Sequence, residues 1–200
     1  MAEREEIEDR FRANLGRVGD LVVLYESIVS GSRGRKPTQV SDILCAAVVL
    51  LHASLEDLLR SLAEWKLPQA PASSLERVPL AGPGAAKDRF TLVDLAGFRG
   101  QTVDAVIAKS VEGFLERSSY NHPGEVIELL GKIGVKATLD RVLKTKLANM
   151  MARRHWIAHR ADRNPRTGPG HQMTRSISAA EVRIWLKAVE TTGGLIFGEL

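Results

Sequence analysis

The chain has 200 residues, of which 44% are apolar, and it carries a formal net charge of +4. A chain of this length and apolar content supports one packed domain and is not intrinsically disordered. Its single cysteine, Cys45, excludes an internal disulfide framework and a cysteine-based zinc site. The basic charge balance is compatible with an anionic partner such as RNA.

The composition also favours helices and argues against a membrane protein. The N-terminus is highly charged and has no apolar signal core, and no apolar run approaches the ~18 residues of a membrane span. We therefore expect a soluble, cytoplasmic protein with no membrane partner. Aromatic residues make up only 5% of the chain, and no segment alternates apolar and polar residues for long enough to predict a strand.

Apolar residues recur at helical spacing in the first third of the chain and predict two long helices. The first runs from about Glu3 to Val29, with acidic residues in its opening turns. The second begins near Thr38 or Ser41, either of which can cap it, and ends near Trp65. This second helix is apolar over most of its first half, so we expect it at the centre of the core.

The segment from about residue 67 to residue 137 is predicted to be a small helical insertion. It opens with a long connection that is rich in proline and glycine. Short helices are then predicted near residues 89–96, 102–115 and 125–132, the last of them stopped at Gly134. We expect the insertion to cover the core, because its helix-turn-helix-like spacing carries no basic recognition helix.

Two further helices are predicted after the insertion. One starts near Thr138 or Asp140 and continues through an apolar stripe into a run of cations. The other starts at the capping box Ser178-Ala179-Ala180-Glu181. The sequence thus predicts an all-α, up-and-down helical bundle in one domain that spans residues 1–200, with the insertion between its second and penultimate long helices.

The penultimate helix ends in the cationic stretch Arg153-Arg154-His155-Trp156-Ile157-Ala158-His159-Arg160. His155 and His159 are four residues apart and share a helix face, whereas Arg154 and His159 point about 140° apart. Guanidinium groups bind phosphate oxygens through a planar fork, and imidazoles exchange protons near neutral pH. The stretch therefore indicates phosphate-ester chemistry, although cations also accumulate at helix ends simply to offset the helix dipole.

Two metal-binding alternatives can be set against that interpretation. His155, His159 and Asp162 supply two imidazoles and a carboxylate, but the arginines beside them would repel a cation. His52 and Glu56 on the second helix are also four residues apart. Because no third ligand accompanies them, we expect a hydrogen-bonded or ion-paired couple. The sequence therefore predicts no metal site and no cofactor.

The motif Arg154-His155-Trp156-Ile157-Ala158-His159 fits the pattern R-x4-6-H and lies near the end of a penultimate helix. In this it resembles the HEPN superfamily, in particular the branch labelled RiboL-PSP-HEPN. The second helix contains His52-Ala53-Ser54-Leu55-Glu56, which is similar to that family's early H-A-x-L-E helix. The entry to the last helix, Ile177-Ser178-Ala179-Ala180-Glu181-Val182, is also similar to that of the family.

The resemblance implies an all-helical domain that often forms a homodimer, with motifs from two protomers meeting in one cleft. Many such proteins are metal-independent endoribonucleases that act as toxins or in antiviral defence. It also implies that Arg154 and His159 are the catalytic pair, with His155 at the polar position after the arginine. RNA is then the substrate, and an antitoxin or other protein is an expected partner. Arg160 departs from the H-x-Y ending of the branch paired with nucleotidyltransferase antitoxins, which argues against a partner of that kind.

The chemistry can also be argued from the residues. RNA carries its own nucleophile, so a metal-free enzyme must deprotonate the 2′-hydroxyl, protonate the leaving 5′-oxygen and stabilise the phosphorane. We expect His159 to act as general base or acid, with His155 or a second protomer's histidine in the other role. Arg154 would hold the phosphate, and Arg153 and Arg160 would bind the RNA backbone. The alternative is a non-catalytic HEPN-type scaffold that binds nucleic acid or protein.

Overall fold

The computed structural model describes residues 2–30, 38–76, 78–80, 91–163 and 174–200, and the regular elements in those ranges are all helical. The longer helices are α1 (Ala2–Val29), α2 (Thr38–Lys66), α5 (Val103–Arg117), α7 (Arg141–Arg160) and α8 (Ala179–Gly198). The shorter elements are a 3-10 turn (Leu67–Gln69), α3 (Ala72–Leu75), α4 (Leu92–Ala96) and α6 (Pro123–Lys132). The all-α helical bundle predicted from the sequence is confirmed.

Helix α2 lies at the centre of the bundle, as its apolar composition predicted. It packs against α1, α7 and α8, and also against the insertion helices α5 and α6. Full burial of a leucine side chain contributes about 1.5–3 kcal/mol, so a helix with many such residues anchors its neighbours. The fully buried leucines of α2 are Leu44, Leu51, Leu55, Leu58, Leu59 and Leu62.

Several helices begin at side-chain caps that the sequence signals. Thr102, Asp140 and Ser178 accept hydrogen bonds from the backbone N–H three residues further on, at 3.2, 2.7 and 3.2 Å. These caps satisfy N–H groups that have no partner within the helix, and they start α5, α7 and α8. Of the two residues predicted to start the motif helix, Asp140 rather than Thr138 is the cap.

The insertion contains more helix at its start than the sequence predicts. The expected long connection begins instead with the 3-10 turn and α3. Pro68 lies in the first turn of the 3-10 element, and Pro71 is the residue directly before α3. Proline suits these positions because its φ is fixed near −65° and a first-turn N–H needs no partner. Residues 81–90, which include the rest of that connection and the start of the helix predicted at 89–96, lie outside the described ranges.

Three polar side chains at four-residue intervals on α2 hold the insertion to the bundle. Arg60 donates to two carbonyls at the C-terminal end of α5, those of Leu115 and of the cap residue Ser118. The carboxylate of Glu56 accepts from the N–H of Tyr120 at 3.3 Å. The Nε2–H of His52 donates to the carbonyl of the same Tyr120 at 3.1 Å. The chain that leaves α5 is therefore fixed to α2 at successive turns.

Helices α1 and α8 approach closely at Gly193. A Cβ atom added to Gly193 would overlap the ring of Phe11, which is 3% exposed and packs against Phe197 at 6.2 Å between ring centroids. The neighbouring Gly194 is exposed, and a Cβ there would meet no heavy atom within 4 Å. Arg4 of α1 also crosses to α8 and donates to the carbonyl of Phe197 at 2.7 Å.

The substitution Gly193→Ala is expected to lower the free energy of unfolding by about 1–3 kcal/mol, because the new methyl group must displace a buried ring. Gly194→Ala is the matched control, since it adds the same group on the exposed side of α8 and gains up to about 1 kcal/mol of helix propensity. Urea unfolding followed by circular dichroism measures both. Equal stabilities of the two variants would contradict the close approach.

Candidate functional site at the end of α7

The cationic stretch lies in the last turns of α7, and its side chains point in different directions. The helix buries an apolar stripe against the bundle, and Arg154 continues the spacing of that stripe one turn beyond Met150. Arg154 is therefore half-buried, whereas His155, His159 and Arg160 are exposed. The arginine and the histidine of the R-x4-6-H motif thus face different surroundings within one copy of the chain.

Arg154 lies close enough to His52 of α2 to act on its charge. His52 is 1% exposed, and burial lowers the pKa of its imidazole. The Glu56 carboxylate opposes this effect, and the Arg154 guanidinium lowers the same pKa further. His52 Nδ1 lies 3.6 Å from Glu56 Oε2, so the two side chains are neighbours, but they form an ion pair only when the imidazole is protonated, and Nδ1 has no hydrogen-bond partner among the described residues. His52 and Glu56 therefore form a polar environment near Arg154.

His155 and His159 lie side by side on the exposed face of α7. Their ring centroids are 4.6 Å apart, and the ring planes are inclined by 47°. Their four-residue spacing predicts this shared face. Two adjacent imidazoles can place a proton donor and a proton acceptor against one ligand. Because both rings are exposed, a polymer as large as RNA can reach them without an opening movement of the bundle.

Arg153 is placed differently from the RNA-binding position that its charge suggests. Its side chain is 10% exposed, and its Nη2 donates to Asp162 Oδ2 at 2.5 Å. The same guanidinium donates to the carbonyls of Arg175 at 3.0 Å and Ser176 at 3.1 Å. These bonds occupy Arg153 inside the protein, so we reassign it from binding RNA to holding the segment that leads into α8.

Asp162, the partner of Arg153, lies in the turn that ends α7. It is 3% exposed, and burial raises the pKa of its carboxyl while Arg153 lowers it. Ala161 and Asp162 have φ values of 45° and 53°, in the left-handed region that costs a non-glycine residue roughly 1–2 kcal/mol. This turn directs the carboxylate towards Arg153. The backbone carbonyl of Asp162 also accepts from the N–H of Arg175 at 3.0 Å.

The metal-binding alternative requires His155, His159 and Asp162 to converge. Both imidazoles are exposed, whereas the carboxylate is buried against Arg153. Within the described ranges, no group of three His, Cys, Asp or Glu side chains could hold a metal ion. Cys45 is half-buried with its Sγ 3.9 Å from Asp162 Oδ2, and burial raises the pKa of its thiol to about 11. It is therefore a protonated thiol at neutral pH.

Two arginines stack on Trp156 beside the histidine pair. The Cζ atoms of Arg160 and Arg175 lie 5.2 Å and 4.9 Å from the centroid of the indole ring. Sequence reasoning missed Arg175, because it lies in an irregular segment before α8 where no periodicity marks it. Its hydrogen bonds with Arg153 and Asp162 bring it back to α7. Arg175 thus contributes the surface charge that the sequence assigned to Arg153.

Comparisons of the chain with protein-family models, with curated proteins and with solved structures found no match. No helix in the described part of the chain is long and apolar enough to cross a membrane. The surface at the end of α7 combines two exposed imidazoles, the half-buried Arg154 and the arginines that stack on Trp156.

The substitution Arg153→Ala is expected to lower the free energy of unfolding by about 3–5 kcal/mol, because it leaves the Asp162 carboxylate buried without its partner. Arg160→Ala is the control. It removes the same group from an exposed position of the same helix, and loses about 0.5–1 kcal/mol of cation–π contact. Urea unfolding measures both variants. A loss for Arg153→Ala no larger than that for Arg160→Ala would contradict the buried pair.

Acidification is expected to destabilise the protein through His52. Folding lowers its pKa below the ordinary value of 6.5, so the unfolded chain binds the proton first as the pH falls. Above about pH 6.5 neutral His52 makes its full contribution to the free energy of unfolding. This contribution is lost as the pH falls from there through the lowered pKa of His52 in the folded state. Glu56 and Arg154 are the charged groups that act on this imidazole.

The variant His52→Gln tests this titration, because its amide nitrogen can replace the Nε2–H donor to Tyr120 but does not bind a proton. Urea midpoints are compared at about pH 7.5 and about pH 5, on either side of the ordinary histidine value. The wild type is expected to lose more stability than the variant over this interval. An equal loss in both proteins would show that His52 does not carry the effect.

Proposed function

We propose that this chain is a metal-independent endoribonuclease of the HEPN kind, whose active site forms when two copies bring the ends of α7 together. The observation that carries the proposal is the exposed imidazole pair, with ring centroids 4.6 Å apart. Arg154 lies in the same turns of α7, on the side that faces α2, and forms no hydrogen bond or ion pair with another residue in the described ranges. The net charge of +4 favours a polyanionic substrate.

The geometry of one helix supports a site shared between two copies. Arg154 points towards α2, whereas His159 is exposed, and their five-residue spacing separates them by about 140° around the helix axis. A phosphate held by Arg154 therefore needs an imidazole from elsewhere. In a two-fold symmetric homodimer the same surface faces its own counterpart, so one cleft can combine Arg154 of one copy with His159 of the other.

The proposed reaction uses the substrate's own nucleophile. His159 takes the proton from the 2′-hydroxyl, and the 2′-oxygen attacks the adjacent phosphorus as the bond from phosphorus to the 5′-oxygen breaks. His155, or the histidine of the second copy, gives a proton to the departing 5′-oxygen. Arg154 stabilises the negative charge that develops on the nonbridging oxygens. The products are a 2′,3′-cyclic phosphate and a 5′-hydroxyl, so the reaction consumes no metal, cofactor or water.

The proposal extends to a toxin or antiviral-defence effector, with an antitoxin or another protein as partner. An enzyme that needs only RNA and two copies of itself has no built-in requirement that would limit its activity in the cell. A protein that covers the end of α7, or keeps the two copies apart, would supply that restraint. Such a partner would have to reach the same exposed histidines that the RNA reaches.

Incubation of the protein with RNA in EDTA tests the proposal. The wild type is expected to cleave, and His159→Ala and Arg154→Ala are expected to lose at least about a hundredfold in rate, because proton transfer by His159 and charge stabilisation by Arg154 each contribute roughly a hundredfold or more. Arg141→Ala is the matched control, since it removes an exposed arginine from the first turn of the same helix. Mass spectrometry of the fragments identifies the cyclic phosphate.

Three results separate the outcomes of that experiment. Cleavage that persists in His159→Ala would remove the proposed role of the histidine. Cleavage that stops with EDTA would replace metal-independent chemistry with a metal-dependent reaction. Binding of RNA by the wild type without any cleavage would favour the alternative, a non-catalytic HEPN-type scaffold.

A further inference from the structure

The arginines that stack on Trp156 are not used by the cleavage chemistry described above. Arg160 is exposed, Arg175 and Trp156 are half-buried, and neither arginine forms an ion pair with another described residue. Asp162 acts on Arg175 electrostatically, but its carboxylate is already bound to Arg153. Two guanidinium groups within 5.2 Å of one ring therefore place uncompensated positive charge on a small area.

The backbone fixes where this charge is presented. Arg175 gives its carbonyl to Arg153 at 3.0 Å and its N–H to the carbonyl of Asp162 at 3.0 Å. Its side chain then extends to Trp156 with its main chain anchored at both polar groups. A cation that is held in place loses less conformational entropy when it binds a ligand than one on a free loop.

The stack also borders the imidazole pair. Trp156 directly follows His155, and Arg160 directly follows His159. These four residues span about 7.5 Å along the helix axis, at a rise of 1.5 Å per residue. Trp156 and Arg160 each follow the preceding histidine by about 100° around the axis, so the stack lies on the flank of α7 next to the imidazole face. A polymer that bends around this end of the helix can place a neighbouring phosphate or base against the stack.

We propose that Arg160, Trp156 and Arg175 form a subsite for single-stranded RNA next to the scissile phosphate. The inference rests on the proposed function for the identity of the polymer, but it concerns binding and not cleavage. Guanidinium groups bind phosphates through their planar fork, and guanidinium and indole planes stack on bases. Bases offer their faces only when they are unpaired, so this combination selects a single strand over a duplex.

Binding is measured by fluorescence anisotropy with a labelled single-stranded oligoribonucleotide of mixed sequence. The full chain carrying His159→Ala serves as the parent, so that the probe is not consumed. Adding Arg175→Ala or Arg160→Ala is expected to weaken binding about five- to tenfold and to lower the slope of log K against log salt by roughly 0.7 for each lost phosphate contact. Arg141→Ala is expected to leave both quantities unchanged.

Two further variants separate charge from stacking. Arg175→Lys keeps the positive charge but loses the planar fork, so it is expected to weaken binding while keeping the salt slope of the parent. Trp156→Leu is expected to weaken binding of the single strand by about fivefold or more, and to leave binding of a duplex of the same sequence unchanged. Urea unfolding of each variant verifies that the bundle remains folded at the assay temperature.

Several results would overturn the subsite. No measurable binding by the parent would do so, as would equal affinities for the parent and the two arginine-to-alanine variants. Equal losses for single strand and duplex in Trp156→Leu would overturn the assignment to single strands. These outcomes are independent of catalysis. If the wild type binds with this pattern but does not cleave, the proposed function fails and the subsite stands.

Discussion

The buried ion pair between Arg153 and Asp162 determines how the end of α7 is built. Removing two charges from water is costly, and further hydrogen bonds to the paired groups offset part of that cost. Arg153 also donates to the carbonyls of Arg175 and Ser176, whereas its Nε and the Oδ1 of Asp162 have no hydrogen-bond partner among the described residues. The chain after α7 is thereby tied back to the helix before α8 begins. Arg153 is thereby held inside the fold, and Arg175, from the segment before α8, contributes positive charge at the surface instead.

Helix α2 constrains the other side of the same site. His52, Glu56 and Arg60 fix the chain that leaves α5, and Arg154 lies near enough to His52 to lower the pKa of its imidazole. The insertion and the arginine of the motif therefore approach α2 at the same turn, on either side of His52 and Glu56.

The longer helices are predictable from the sequence because they carry their own local signals, whereas the short α3 is not. Asp140 and Ser178 cap their helices with side-chain oxygens, and apolar periodicity marks the buried faces. The separate roles of Arg153 and Arg154 are not predictable in this way, because adjacent residues differ only by a rotation of about 100° around the helix axis. Arg154 is four residues after Met150, so it continues the apolar stripe of α7 by one turn, and this spacing predicts that it is partly buried. No local signal identifies Arg175, whose position depends on contacts with a different element.

The proposed active site requires Arg154 and His159 to act from different copies of the chain. Mixing the inactive variants Arg154→Ala and His159→Ala, under conditions that let subunits exchange, tests it most directly. We predict that the equimolar mixture recovers about a quarter of wild-type cleavage, because half of the dimers are mixed and each has one complete site. A mixture that stays as inactive as its components, alongside an active wild type, would contradict the account.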